Sequence, residues 1–285
     1  MTRQPLPTYE QLTRPLPFWH PKAVYYGTFR WLLKTIGCLS NGIQIGFKYG
    51  FDSGVMLEYV YRNQPSGRTF LGRAIDRIFL DSQGWRGIRQ RGEILKRVLL
   101  AEIKANQQRD ISTVLLDVAC GGGRYDLEVL RVCHQDRVMA TLRDYRPENV
   151  EKARQLARKL EVVATIEQGD AFSDTDLNRV DPCPNLIVVS GLHEILPDNE
   201  LIRQHFQQLY RILQSPGTLI FTIQPYHPQL ELIARVLPSH TGSAWIMRLR
   251  PFELTRQWAE AAGFTDFQVQ MDQFDIFGVV TARKL

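Results

Sequence analysis

Leu115-Leu116-Asp117-Val118-Ala119-Cys120-Gly121-Gly122-Gly123-Arg124-Tyr125 joins a buried-strand pattern to a glycine loop. The apolar run ends on an acidic residue, and the glycines lead into a helical stretch. Glycine leaves the backbone bare and free to take a positive φ, and a helix start carries unpaired N–H groups with a partial positive charge. A ligand with an anionic or polar tail can therefore approach closely. The dinucleotide fingerprint G-x-G-x-x-G fits poorly, because the residue three after Gly123 is Asp126 rather than Gly or Ala. Asp117 points the same way, since a carboxylate at the strand end attracts an ammonium, directly or through water, and repels a pyrophosphate. A nicotinamide dehydrogenase is accordingly a poor fit.

Outward from this passage, short apolar runs alternate with longer helical periods from residue 111 to the end, which predicts an α/β fold with a largely parallel sheet. Strands are expected near 113–118, 137–143, 162–167, 185–190, 217–223, 265–271 and 275–282. Helices are expected near 124–134, 147–160, 198–214, 228–237 and 251–262. Pro147 suits a first helical turn and Gly263 the position just past a helix end. Only a few residues separate the last two strands, too few for a crossover helix. They should pair antiparallel, giving six strands closed by a reversed seventh.

Polar residues recur where the strands end. Arg143-Asp144-Tyr145-Arg146-Pro147-Glu148 follows the second strand, Gly169-Asp170-Ala171-Phe172 the third, and Ser190-Gly191-Leu192-His193-Glu194 the fourth. With Asp117, Ala119, Gly121 and Gly123, these passages resemble in order the landmarks of the class I S-adenosylmethionine-dependent methyltransferases. Ala119 stands where that family's pattern has its first glycine. The resemblance implies a Rossmann-like seven-stranded sheet with an antiparallel last strand and S-adenosyl-L-methionine as cofactor. It places Asp117 and the loop of Ala119, Gly121 and Gly123 at the amino-acid end, Asp144 on the ribose hydroxyls and Tyr145 against the adenine. Asp170 would accept from the adenine amino group, the Ala171 amide would face the ring, and Ser190 would line the gap between sulfonium and acceptor. Arg124 could pair with the methionine carboxylate or be a solvated helix charge. One of Arg86, Arg89 and Arg91 could reach the same carboxylate.

A narrower resemblance covers more of the chain. Gly84-Trp85-Arg86-Gly87-Ile88-Arg89-Gln90-Arg91, the glycine loop and Ser190-Gly191-Leu192-His193-Glu194 together are similar to a family of bacterial methyltransferases, some of whose members carry an attached α/β-hydrolase. No G-x-S-x-G nucleophile elbow occurs here, so that module is not expected.

The front of the chain reads differently. Residues 1–21 hold two similar pieces, Arg3-Gln4-Pro5-Leu6-Pro7 and Arg14-Pro15-Leu16-Pro17, whose prolines favour an extended arm. Residues 22–110 form a basic helical region, with about four segments punctuated by Gly42, Gly67 and Gly84, ahead of the cofactor-binding domain at 111–285. Its aromatics, Tyr25, Tyr26, Phe29, Trp31, Phe47, Tyr49, Phe51, Tyr59 and Tyr61, with Trp19 just before, are expected mostly as core packed on the catalytic body, the remainder lining a substrate mouth.

With 285 residues, 44% hydrophobic and 23% charged, the chain can bury a core of normal size, which excludes a disordered or fibrous class. The longest apolar stretches, such as Leu186 to Val189, fall far short of the ~18 to 20 residues that span a bilayer. The proline-broken amino terminus lacks the apolar core of a secretory signal, so a cytoplasmic location is expected, with peripheral membrane contact open. Cys38, Cys120, Cys133 and Cys183 show no C-x-x-C pair and no metal-ligand spacing; they read as reduced and mostly buried, and no metal is expected. Charge is uneven. Residues 1–110 carry 17 Lys and Arg against 8 Asp and Glu, whereas residues 111–285 carry 18 against 22. The basic front suggests an anionic partner or a solvated helical face.

Methyl transfer from a sulfonium needs chiefly an acceptor aligned in line with the methyl. Where the acceptor must lose a proton, His193 is the first candidate base and Glu194 its neighbour, with Tyr226 and His227 second; the alternative is a satisfied polar pair at a helix start. The N-P-P-Y type sequence is missing after the fourth strand, and Cys183 precedes that strand, which disfavours nucleic-acid bases and glutamine amides as acceptors. A small hydrophobic or lipid-like acceptor is expected, and the Trp, Tyr, Lys and Arg content of the front suits docking on an anionic membrane. The competing reading is a non-catalytic binding module acting through the basic front, encouraged by Ala119.

Overall fold

The computed structural model describes residues 6–133 and 137–285. Six helices come first: α1 (Tyr9–Thr13), α2 (Pro21–Thr35), α3 (Asn41–Tyr49), α4 (Gly54–Arg62), α5 (Phe70–Leu80) and α6 (Gln83–Gln108), with a 3-10 turn at Gly37–Leu39. The alternating part begins with β1 (Thr113–Asp117), α7 (Arg124–Val132), β2 (Val138–Asp144), α8 (Pro147–Leu160), β3 (Thr165–Gln168) and α9 (Asp174–Leu177). It continues through β4 (Leu186–Val189), α10 (Leu192–Ile195), α11 (Asn199–Ile212), β5 (Gly217–Ile223) and α12 (Leu230–Val236). The chain closes with α13 (Phe252–Ala262), β6 (Thr265–Met271) and β7 (Gly278–Lys284).

Two compact units share the chain: Met1–Arg89 with His227–Leu249, and Gln90–Tyr226 with Arg250–Leu285. The second unit holds one seven-stranded sheet in the order β3-β2-β1-β4-β5-β7-β6. All neighbours from β3 to β5 pair in parallel, and β7 runs antiparallel to both β5 and β6, as the short last connection requires. Successive residues of the central strands feed opposite faces. Leu115, Leu186, Val188 and Ile220 join one core with α6, α7 and α8, while Leu116, Ile187, Val189, Leu219 and Phe221 join another with α11 and α13. Both faces are covered, which is why these strands read as unbroken apolar runs rather than alternating ones. Asp198 caps α11 through the Glu200 and Leu201 amides, and Gly263 ends α13 at φ +113°, where a Cβ would strike Tyr210. The Glu102 carboxylate of α6 receives the Arg283 guanidinium of β7, Nη2 to Oε1 at 2.9 Å. Because β2 and β3 lie on one side of β1 and β4 and β5 on the other, the strand order reverses between β1 and β4, which opens a crevice at their carboxyl ends.

The first unit is helical and departs from expectation in several places. Of the supposed extended arm, residues 1–5 lie outside the described residues, and residues 9–13 form α1. There the Thr8 hydroxyl and the Gln11 side chain cap each other's backbone, so a single turn fits between the proline pieces. Leu12 is buried with Leu230, Ile233, Ala234 and Met247. Gly42 and Gly84 do not interrupt helices but sit in their first turns, because a side chain at Gly42 would strike Asp76, Tyr59 and Phe79, and one at Gly84 would strike His227. The aromatics are not mostly core. Phe51 is fully buried and packs edge-on with Phe47 and Phe79, but Trp19, Tyr25, Trp31 and Tyr49 are exposed. Cysteine burial is likewise narrower than expected: all four are free, Cys120 is buried, Cys38 and Cys133 are half-buried and Cys183 is exposed.

Candidate cofactor site

The glycine loop and the polar residues singled out after β2, β3 and β4 belong to the second unit, at the strands' carboxyl ends, as does Arg91 on α6, whereas Arg86 and Arg89 fall in the first unit. The loop turns sharply: the Cys120 amide donates to the Arg143 carbonyl at 2.8 Å and the Gly123 amide to the Cys120 carbonyl at 2.9 Å. Gly121 and Gly123 take φ of +58° and +66°, a region that penalises a Cβ. Their surroundings differ. A Cβ on Gly123 would press on Ala153 and Leu127, so this glycine seats α7 on α8, whereas one on Gly121 would meet nothing within 4 Å. Open space lies over bare backbone at Gly121. Ala119 keeps a φ that any residue can adopt, which explains why alanine serves there.

Asp144 ends β2 and binds the loop from the side. Its Oδ2 accepts from the Gly121 amide at 2.9 Å, and its Oδ1 accepts from the Arg146 amide at 2.9 Å and the Asn149 amide group at 3.1 Å. A carboxylate has room for about four such bonds, so Oδ2 retains acceptor capacity for a hydroxyl. Asp170 accepts from the Phe172 amide through Oδ1 at 2.9 Å, while its own amide donates to Asp176; Oδ2 takes no bond among the described residues. This half-buried side chain therefore also has room for a donor. Tyr145 projects into solvent and Ala171 is buried.

Asp117 is closed off instead. It is fully buried, accepting from the Ala119 amide at 2.8 Å and from the Tyr125 hydroxyl. Direct contact with an ammonium is thus not offered; Asp117 shapes the loop and holds Tyr125. Burial pushes its carboxyl up to about 7, and the neighbouring Asp144 charge adds to the rise. Asp126, also wholly buried, is raised well above the usual carboxylate range by burial and then by Asp117, so the pair resists double ionisation. Sequence reasoning met Asp126 only as a misfit to the dinucleotide fingerprint and did not single out Tyr125; no local pattern marks either as a partner of Asp117. Arg124 opens α7 and pairs with Glu128 at 3.3 Å.

At the end of β4, Gly191 takes φ +76° and its amide donates to Thr222 Oγ1 at 2.8 Å, while Ser190 is half-buried. His193 is buried, with Nε2 2.9 Å from His205 Nδ1 and its ring against Phe206. Burial, then His205 and Arg250, drive its pKa well below the ordinary histidine value, so it is a neutral and weak base. Arg250 holds the turn by donating to the His193 carbonyl at 2.8 Å and the Leu196 carbonyl at 2.7 Å. Glu194 is buried 3.7 Å from the Arg91 guanidinium, which rests over the Phe277 ring. Neither Glu194 oxygen accepts a hydrogen bond among the described residues. Of the second-line candidates, Tyr226 is half-buried, and His227 lies in the first unit, where burial lowers it to about 4 and its Nδ1 accepts from the Gln229 amide.

A family described as "Putative methyltransferase" matches residues 3–284. The chain belongs to this methyltransferase family. Its relative YnbC of Escherichia coli (strain K12), an uncharacterized protein, is 38% identical over 272 residues, 94% of this chain and 46% of that protein. The chain thus spans less than half the length of the curated relative it matches. Among solved structures, a "possible exported protein" from Bordetella parapertussis superposes with a TM-score of 0.62 at 20% identity, over 93% of this chain and 99% of that one. The magnesium protoporphyrin IX methyltransferase of Synechocystis PCC 6803, solved with bound SAH, gives 0.56 at 15% identity, over 85% and 99%. At such identities these two likenesses concern the fold, and that fold is the seven-stranded sheet of class I methyltransferases.

Proposed function

We propose that this protein transfers a methyl group from S-adenosylmethionine to a small hydrophobic or lipid-like acceptor. One observation carries the cofactor half: two carboxylates with spare acceptor capacity, Asp144 and Asp170, stand at the ends of the two strands on one side of β1, and Asp144 binds the loop whose Gly121 backbone opens onto free space. The donor set suits a nucleoside with hydroxyls at one place and an amino group at another. When bound, S-adenosylmethionine supplies a methyl already activated on sulfur, so the chain has mainly to align an acceptor. In this reading Asp144 holds ribose hydroxyl and loop together, Asp170 and the Ala171 amide address the adenine, and Ser190 and Gly191 border the transfer region. Glu194 is the better proton acceptor of the two residues after β4, because its oxygens lack hydrogen-bond donors and His193 is a weak base. Half-buried Leu192 and exposed Ile195, in place of groups that could read a base edge, support a hydrophobic acceptor.

The reading of a binding module without turnover loses its one encouragement, since alanine at 119 costs the loop no strain. Calorimetry with S-adenosylhomocysteine and with NAD tests the cofactor assignment. Micromolar binding of the former and none of the latter is the expected outcome; the reverse, or no binding of either, overturns it. Transfer of labelled methyl to a panel of hydrophobic hydroxyl and carboxyl compounds, set beside peptides and oligonucleotides, then tests the acceptor class.

A further inference from the structure

Helix α2 is apolar over a broad arc and uses only part of it. Tyr26, Phe29 and Leu33 are half-buried on the side that faces α12 of the same unit, where Lys22 pairs with Glu231 at 2.7 Å. Val24, Tyr25, Trp31, Leu32 and, one residue past the helix, Ile36 lie on the adjoining face, all exposed. At 100° per residue they fall within an arc of about 140°. Trp31 is 62% exposed, and Phe18 and Trp19 just ahead of the helix reach 84% and 72%. At the far end, the Leu39 carbonyl in the turn after α2 occupies the place a Cβ on Gly72 would take, and Phe70 and Leu71 at the start of α5 are exposed as well. Helix α2 has no buried residue at all. An apolar stripe of this length, left in water, is an interaction surface.

Charge decides what covers it. Between Glu10 and Asp52 the chain has no Asp or Glu, while Arg14, Lys22, Arg30, Lys34 and Lys48 fall in that interval. A second copy would bring this surplus against itself, whereas an anionic surface attracts it. Trp and Tyr on an apolar face with Lys and Arg alongside is the composition of a helix lying in the plane of a bilayer surface. No helix among the described residues is long and apolar enough to cross one.

We propose that α2, with Phe18 and Trp19, docks the protein on anionic phospholipid bilayers, its stripe immersed at the headgroup boundary. The docking stands apart from methyl transfer, because its observations lie on α2 and its test needs no turnover.

Flotation of the full chain with vesicles of phosphatidylcholine alone, and of phosphatidylcholine containing one quarter phosphatidylglycerol, tests it at low and high salt. The protein should float with the mixed vesicles, and binding should fall as salt rises. The double variant Trp31→Glu, Leu32→Glu should abolish flotation while keeping the wild-type melting temperature, since both side chains are exposed. Arg14→Gln and Lys34→Gln each remove one positive charge and should each weaken binding roughly fivefold. Absence of flotation with either vesicle overturns the proposal, as does equal flotation of the wild type and the double variant. A dimer in light scattering that Trp31→Glu, Leu32→Glu dissolves and mixed vesicles do not displace also overturns it, in favour of a second copy.

Discussion

The two strand ends on either side of β1 treat their polar groups in opposite ways. At the end of β2, Asp144 is tied down by three hydrogen bonds, keeps a lone pair to spare and stands beside backbone that opens onto free space. At the end of β4, Glu194 and His193 are buried, with the carboxylate oxygens and His193 Nδ1 lacking hydrogen-bond partners among the described residues, though Arg91 stands 3.7 Å from Glu194. The first end is organised before a ligand arrives, so binding there costs little reordering. The second stores polar atoms without hydrogen bonds in a dry setting, where interactions with the proposed acceptor would be stronger than in water.

Replacing single residues at each end can break this contrast. The largest effect is expected at β4. Glu194→Gln should lower turnover of an acceptor that must lose a proton by about 100-fold or more, the usual weight of a general base, while leaving affinity for S-adenosylhomocysteine within about twofold. Single-turnover assays beside calorimetry read both numbers, and a change in affinity without a change in rate would erase the division between the two ends. Asp144→Ala should cost affinity for S-adenosylhomocysteine about 100-fold, since hydrogen bonds to a charged group contribute ~1.5–3 kcal/mol each and the loop loses its anchor. Gly121→Val should cost roughly tenfold from backbone strain of about 1–2 kcal/mol. Gly121→Asn should cost less, because asparagine tolerates that φ and the space is open.

The smallest effect concerns stability. Asp117 and Asp126 are both raised above their unfolded values, so their contribution is fully present below about pH 4 and is lost as pH rises, for Asp117 through about 7. Melting temperature should fall across that window. Asp126→Asn should flatten the decline and melt several degrees above the wild type at pH 8, with little difference at pH 4. A steeper decline in the variant would show that the pair is not held protonated.

The sheet was legible because two-sided burial writes each central strand as an apolar run, and the strand-end acids followed from it. Boundaries slipped where a side chain reorganises the backbone. Val162 belongs to the turn after α8, set by Glu161 at φ +57°, so β3 begins only at Thr165. Ile276 and Phe277 lie in a turn whose amides converge on the Asp272 carboxylate, which delays β7 to Gly278. The closed state of Asp117 was not legible, since its partner Tyr125 is eight residues on and becomes a neighbour only after the glycine turn. Helix α2 shows a different limit. Periodicity reports that a face is apolar, and cannot report whether anything covers it.

Alanine at 119 also bears on the chain before it folds. A glycine there would give the unfolded ensemble conformations that the native loop never uses, and alanine removes them at no strain, a gain of about 0.4–1 kcal/mol. The turn proposed to receive the ligand is thereby stiffened through the disordered state, by a methyl group that also packs against the core shared with α11 and α13.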